Sequence, residues 1–126
     1  MSYRVEFAGE FRDNVREQVA YMRRRGMSEQ RIESWFGKLF DELDALRESP
    51  RRHPVDEVQS QAIGSPSHKK VYDGYLAFYR VDDERRIVRV DRFVHGARDR
   101  SKDAQRAAEG YRQRSRASDR DQGLDR

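Results

Sequence analysis

Residues 68–99 read HKKVYDGYLAFYRVDDERRIVRVDRFVHGARD, and the reading of this stretch decides the fold. Tyr75 to Val81 is rich in aromatic and β-branched residues and too short for a typical helix, so it is expected to form a largely buried strand. The polar cluster Asp82-Asp83-Glu84-Arg85 then marks a turn. From Arg86 to His95 the residues alternate: Val88, Val90 and Val94 point one way, and Ile87, Arg89, Asp91, Phe93 and His95 the other. A shorter piece, Lys69 to Tyr72, joins the central strand through Asp73-Gly74, a dipeptide suited to a tight hairpin because glycine tolerates positive φ. Three antiparallel strands are the expectation.

The chain ahead of this stretch supplies a first strand and two helices. Tyr3-Arg4-Val5-Glu6-Phe7 alternates, with Tyr3, Val5 and Phe7 on one face. Ala8 to Arg25 sets Phe11, Val15, Val19 and Met22 along one helical stripe, and Gly26 stops it behind Arg23-Arg24-Arg25, a solvated helix end. Ser28 suits an N-cap, and the second helix is expected to run to about Glu48, since Pro50 forbids more. Its stripe of Ile32, Trp35, Phe36, Leu39, Phe40, Leu43 and Leu46 is wide and must face something large. The sheet is the obvious partner, with Trp35 a packing residue. Arg51 to Ser67 holds two prolines and Gly64 and reads as a long surface loop in which His53 is solvated.

The architecture that follows is α+β, in the order β-α-α-β-β-β, with two helices on one face of an antiparallel sheet. It occupies residues 1–99. Residues 100–117 favour helix but have almost no apolar stripe, a charged extension, and residues 118–126 are expected to be disordered.

Composition narrows the functional classes. At 126 residues this is one domain with 40% charged residues and a mean hydropathy of −1.17, so apolar positions must be used efficiently. Nothing approaches a membrane span or a signal-peptide pattern, and a cytoplasmic, membrane-free protein is expected. Zero cysteines exclude disulfides and cysteine-based metal or nucleophile chemistry. The three histidines are far apart, with no ligand spacing beside them, so neither a metal nor a cofactor is expected. Residues 1–67 carry 11 Lys+Arg against 12 Asp+Glu, and residues 68–126 carry 16 against 11. That local positive excess suits nucleic acid, an acidic protein or the ribosome.

The run GYLAFYRVD, then IVRV, then HGARD resembles the C-terminal half of the RelE/ParE superfamily, the toxins of type II toxin–antitoxin pairs. Residues 3–99 can be laid along that pattern. The closing HGARD is more similar to the ParE branch than to the ribonuclease branch. Where many relatives carry an arginine, six or seven residues before the tyrosine that opens the central strand, this chain has His68 and Lys69, with Lys70 next. Positive charge is kept, but lysine lacks the planar fork that grips a phosphate with two bonds.

The resemblance implies a growth-arresting toxin with a cognate antitoxin as partner. Two mechanisms stay open. In a ParE-like protein the target is DNA gyrase, and Lys69, Lys70, Tyr72, Arg89 and Arg98 are expected as contact residues. In a RelE-like protein the target is the ribosome with its mRNA. His95 would then be acid or base, Arg80 with Lys69 or Lys70 would neutralise the phosphate, and Tyr72 would stack on a base. A non-toxic nucleic-acid-binding or adaptor module on the same fold is a third reading. For His95 there is also a plain structural role, holding the turn at Gly96-Ala97-Arg98. Because burying Arg80 under the helices would be costly, the open face of the sheet is expected to collect Arg80, Arg89 and His95.

Overall fold

Local sequence rules account for most of the elements in the computed structural model, which describes residues 2–96. Arg98 and the segments 100–117 and 118–126 lie outside the described residues. The elements are β1 (Arg4–Phe7), α1 (Gly9–Arg24), α2 (Glu29–Asp44) with a 3-10 turn at Ala45–Arg47, α3 (Glu57–Ile63), β2 (His68–Tyr72), β3 (Tyr75–Asp82) and β4 (Ile87–His95). Ser28 caps α2, its side chain accepting from the Arg31 amide at 3.2 Å. Asp73 and Gly74 both take positive φ, 49° and 81°, which gives the tight β2–β3 hairpin that the dipeptide announces.

The sheet order is β1-β4-β3-β2. Three features depart from expectation. First, the sheet is mixed rather than antiparallel: β1 runs parallel to β4, with Val5 beside Val88. Alternation in Tyr3 to Phe7 fixes which side chains face inward but carries no information about strand direction, which the helical crossover sets. Second, the expected loop contains a third helix. Asp56 caps α3 by accepting from the Gln59 amide at 2.9 Å, and Gly64 ends it at φ 71°. His53, expected to be solvated, is half-buried beside it. Third, α2 gives way to the 3-10 turn after Asp44 instead of continuing to Glu48.

The most consequential departure is a β-bulge. Tyr79 pairs with Val90 but Phe78 with Arg92, so Asp91 is an extra residue in β4. A residue inserted into a strand inverts the facing of everything beyond it. Val88 and Val90 therefore face the helices as expected, but from there Phe93 turns inward and Val94 outward. The Phe93 amide points away from β3, beyond the end of the β1 pairing, and donates to Asn14 Oδ1 of α1 at 2.9 Å.

The core lies between the helices and the inner face of the sheet. Phe11 and Val15 from α1, Leu39, Leu43 and Leu46 from the α2 region, and Ala77, Tyr79, Val88, Val90 and Phe93 from the strands form it. Phe93 is its aromatic hub, with ring centroids 5.8 Å from Phe11, 5.9 Å from Trp35 and 5.0 Å from Tyr75. Trp35 packs there as expected, whereas Phe36, the outermost residue of the apolar stripe, stays 43% exposed.

Candidate functional site

The outer face of the sheet carries a network of ions. On β3, Arg80 is half-buried and grips Asp91 with two bonds, Nε to Oδ2 at 2.7 Å and Nη2 to Oδ1 at 2.8 Å. Asp91, the extra residue of the bulge, lies two positions along β4 from Arg89, the residue paired with Arg80, and so sits diagonally beside Arg80 on the same face. Arg89 reaches Glu6 of β1 at 3.4 Å, and Arg4 shares the same carboxylate at 3.0 Å. Arg92, buried, lies 3.5 Å from Glu10 at the start of α1. Beside these charges sit three buried apolar residues, Leu76, Phe78 and Val94.

The lysines of β2 are divided between the faces. Lys70 turns inward and is buried, its Nζ 2.7 Å from Glu42 of α2. Lys69 turns outward, 3.5 Å from Asp56 at the N-terminus of α3. Tyr72 is buried in the helix-facing layer, its hydroxyl donating to the Trp35 carbonyl at 2.6 Å. Asp73 accepts from Trp35 Nε1 at 2.8 Å, so the hairpin turn holds Trp35 by its backbone carbonyl and by its indole. Next to Lys70, the His68 ring stacks on Tyr79 at 5.1 Å and its Nδ1 donates to the His53 carbonyl at 2.7 Å. Burial pushes the Tyr79 phenol up to about 12, so it remains neutral as a packing group. Burial, then the nearby Lys70 and Arg52, holds the His53 imidazole below its usual value.

His95 is exposed at the end of β4, on the side opposite Arg80. It pairs with Tyr75, meets the edge of that ring at 5.1 Å, and lines an open cleft with Asn14, Glu17, Gln18 and Tyr21 of α1. The expectation that Arg80, Arg89 and His95 gather on one face is therefore corrected. Arg80 and Arg89 do share the outer face, at directly paired positions, but the bulge carries His95 round to the helix side. Lys69 joins the arginines, whereas Lys70 and Tyr72 do not.

The residues that sequence reasoning missed are the acids that answer these cations: Asp91, Glu6, Glu42 and Asp56. Asp56 had a signal, since Asp-Glu at the head of an amphipathic turn closed by glycine is a helix-start pattern. Asp91 had a weaker one: alternation sets it on the same side as Arg89, but its place beside Arg80 depends on a strand register that the pattern does not encode. Among the described residues no group of three or more His, Cys, Asp or Glu could hold a metal ion, and no helix is long and apolar enough to cross a membrane. A second surface is apolar: a groove of about 790 Å³ between α1 and α2, floored by Phe7, Val15, Val19, Ile32, Phe36 and Phe40 and rimmed by arginines and glutamates.

A helical hairpin on one face of a four-stranded mixed sheet and a layer of paired ions on the other define a small α+β domain that offers open grooves and charged surfaces. The family model described as the ParE toxin of the type II toxin–antitoxin system, parDE, matches residues 5–100, and the chain belongs to that family. Among solved structures it is similar to the RelBE2 toxin–antitoxin complex of Mycobacterium tuberculosis, at 18% identity and TM-score 0.48, over 75% of this chain and 99% of that one. A mutant of the E. coli toxin RelE in the free state matches at 20% identity and TM-score 0.48, over 83% and 95%. The RelE–RelB complex of Pyrococcus horikoshii matches at 13% and 0.47, over 78% and 99%. No curated protein matches the chain in sequence.

Proposed function

We propose that this toxin acts by ParE-like binding to DNA gyrase and carries out no RNA cleavage of its own. The observation behind this reading is the pairing of the cations. Arg80, Arg89, Lys69 and Lys70 each already have a carboxylate partner, and His95 lies on the other side of the sheet from Arg80. Attack of a ribose 2′-hydroxyl on the neighbouring phosphate needs an acid or base and cations converging on one phosphate. Here the arginines would have to exchange a carboxylate for the phosphate, and the histidine would still face away. Protein recognition makes no such demand, because a layer of fixed ion pairs gives orientation and specificity without a free charge.

The antitoxin is expected to be a protein whose amphipathic helix lays its apolar face in the α1–α2 groove, over Phe36, with acids meeting the arginines of the rim. Phe36→Asp should then leave the toxin active but unrescued by co-expressed antitoxin. Rescue at the wild-type level would remove the groove from the interface.

A pair of assays tests the mechanism. Purified full-length protein should inhibit gyrase supercoiling and leave a defined mRNA intact in reconstituted translation, and Arg80→Ala should retain the gyrase effect if it folds. Ribosome-dependent cuts that disappear in His95→Ala or Arg80→Ala would replace this reading with the ribonuclease one.

A further inference from the structure

Among the described residues, the outer edge of β2 is covered along its first half and not along its second. The Lys69 amide donates to the Pro54 carbonyl at 2.8 Å, and Val55 bridges to His68, so the preceding chain covers the edge as far as Lys69. Beyond it no described residue covers the edge. The two-residue turn makes Tyr72 and Tyr75 a hydrogen-bonded pair, and Lys70 and Ala77 are in phase with it. Val71 is out of phase, so its N–H and C=O point away from β3. Among the described residues its amide has no backbone partner, and its carbonyl has only a long 3.5 Å contact from Lys70 Nζ. Edges are ordinarily blunted with charge or proline, but here the open half carries a valine that is 61% exposed.

The same edge forms one wall of a cleft whose other wall is α2. Arg31, Ser34, Trp35, Lys38 and Glu42 face Val71, Tyr72 and Asp73 across it. Arg31 and Lys38, two turns apart, are the basic residues of that wall. Among the described residues neither has a carboxylate within ion-pair distance, which sets them apart from the cations of the outer sheet face. The acids of the cleft are already engaged, Glu42 with Lys70 and Asp73 with Trp35.

We propose that the open half of the β2 edge receives an extended acidic segment of a partner protein as a fifth strand. Its backbone pairs with the Val71 N–H and C=O. Its side chains alternate between the two faces: those on the helix side are acidic and meet Arg31 and Lys38, and those on the outer side are apolar and cover Val71. Backbone pairing supplies affinity and the alternation supplies selectivity. This inference goes beyond the gyrase reading and does not depend on it, since the assay below contains neither gyrase nor the ribosome.

The test uses the full chain and a fluorescein-labelled seven-residue peptide alternating valine with glutamate, followed by anisotropy, with a lysine-for-glutamate peptide as counterpart. The acidic peptide should bind at least tenfold more tightly than the lysine one. Arg31→Glu together with Lys38→Glu should weaken it more than tenfold. So should Val71→Pro, which deletes the outward N–H and no bond to β3. In the wild-type protein the Val71 amide resonance should shift on saturation, which keeps the proposal open to refutation even if the proline variant misfolds. Equal affinity for the two peptides, unchanged affinity in the charge-reversed variant, or a Val71 amide that does not move would overturn it.

Discussion

A lysine on a strand that faces a helical layer must find a carboxylate or leave the core, and Lys70 finds Glu42 at 2.7 Å. Only the lysine of this pair is buried, so removing Glu42 strands a charge, whereas removing Lys70 leaves a glutamate that is 41% exposed to solvent. Phe93 sits at the opposite extreme, an apolar hub among Phe11, Trp35 and Tyr75. Phe93→Ala should lower stability by about 3–5 kcal/mol, the usual loss for a fully packed aromatic residue, read as a shift in the urea midpoint with an unchanged slope. Strict alternation makes Val94 the core residue and Phe93 the surface one, so the alternating pattern and the bulged structure predict opposite orders for Phe93→Ala and Val94→Ala. At this scale the sequence was a partial guide. Arg80 was correctly set on the outer face, because burying an arginine under helices is costly without a partner. His95 was misplaced because one extra residue at Asp91 reverses the parity of the strand end, and parity was the only information in the pattern.

Among elements, the helical hairpin and the β2–β3 hairpin were legible because local chemistry dictates them: Ser28 as a cap, Gly26 as a stop, Asp73-Gly74 as a turn. The third helix was hidden by length. Seven residues between prolines look like loop, and α3 is held by the Asp56 cap, whose carboxylate lies 3.5 Å from Lys69, and by burial of Gln59 and Ile63. Asp56→Ala should therefore cost about 1–2 kcal/mol and raise amide hydrogen exchange selectively over 57–63. Uniform exchange across the molecule would mean that the cap serves the whole fold and not this helix. The parallel placement of β1 was illegible for a different reason: direction belongs to the crossover, and no residue of the strand reports it.

For the whole molecule, three distant segments meet at one exposed carboxylate. Asp83, in the β3–β4 turn, accepts from the Tyr3 hydroxyl at 2.6 Å and from both terminal nitrogens of Arg51, at 3.0 and 2.6 Å. The bonds from Arg51, then from Tyr3, lower its carboxyl to about 2 from an ordinary 3.8. A carboxyl depressed in the folded state stabilises the fold above its unfolded value, and that contribution is lost as pH falls through the folded one. The clasp should therefore contribute fully above about pH 4 and disappear towards pH 2. The gap in melting temperature between the protein and Asp83→Asn should be constant at neutral pH and close over that window. A gap that persists at pH 2 would show that the asparagine disturbs packing and not charge.

The parallel pairing of β1 with β4 also governs when the protein can exist at all. β1 takes its sheet partner from β4, far along the chain, with Arg4 and Ile87 in register, and such non-local pairing is slow because the intervening chain must first be closed into a loop. A nascent chain on the ribosome can form its helical hairpin early and pack Phe7 against Phe11 and Phe40, but residues 4–7 have no strand to pair with until β4 has been made. The outer face with its paired ions is completed only with β4, because Arg89 and Asp91, the partners of Glu6 and Arg80, both lie on that strand.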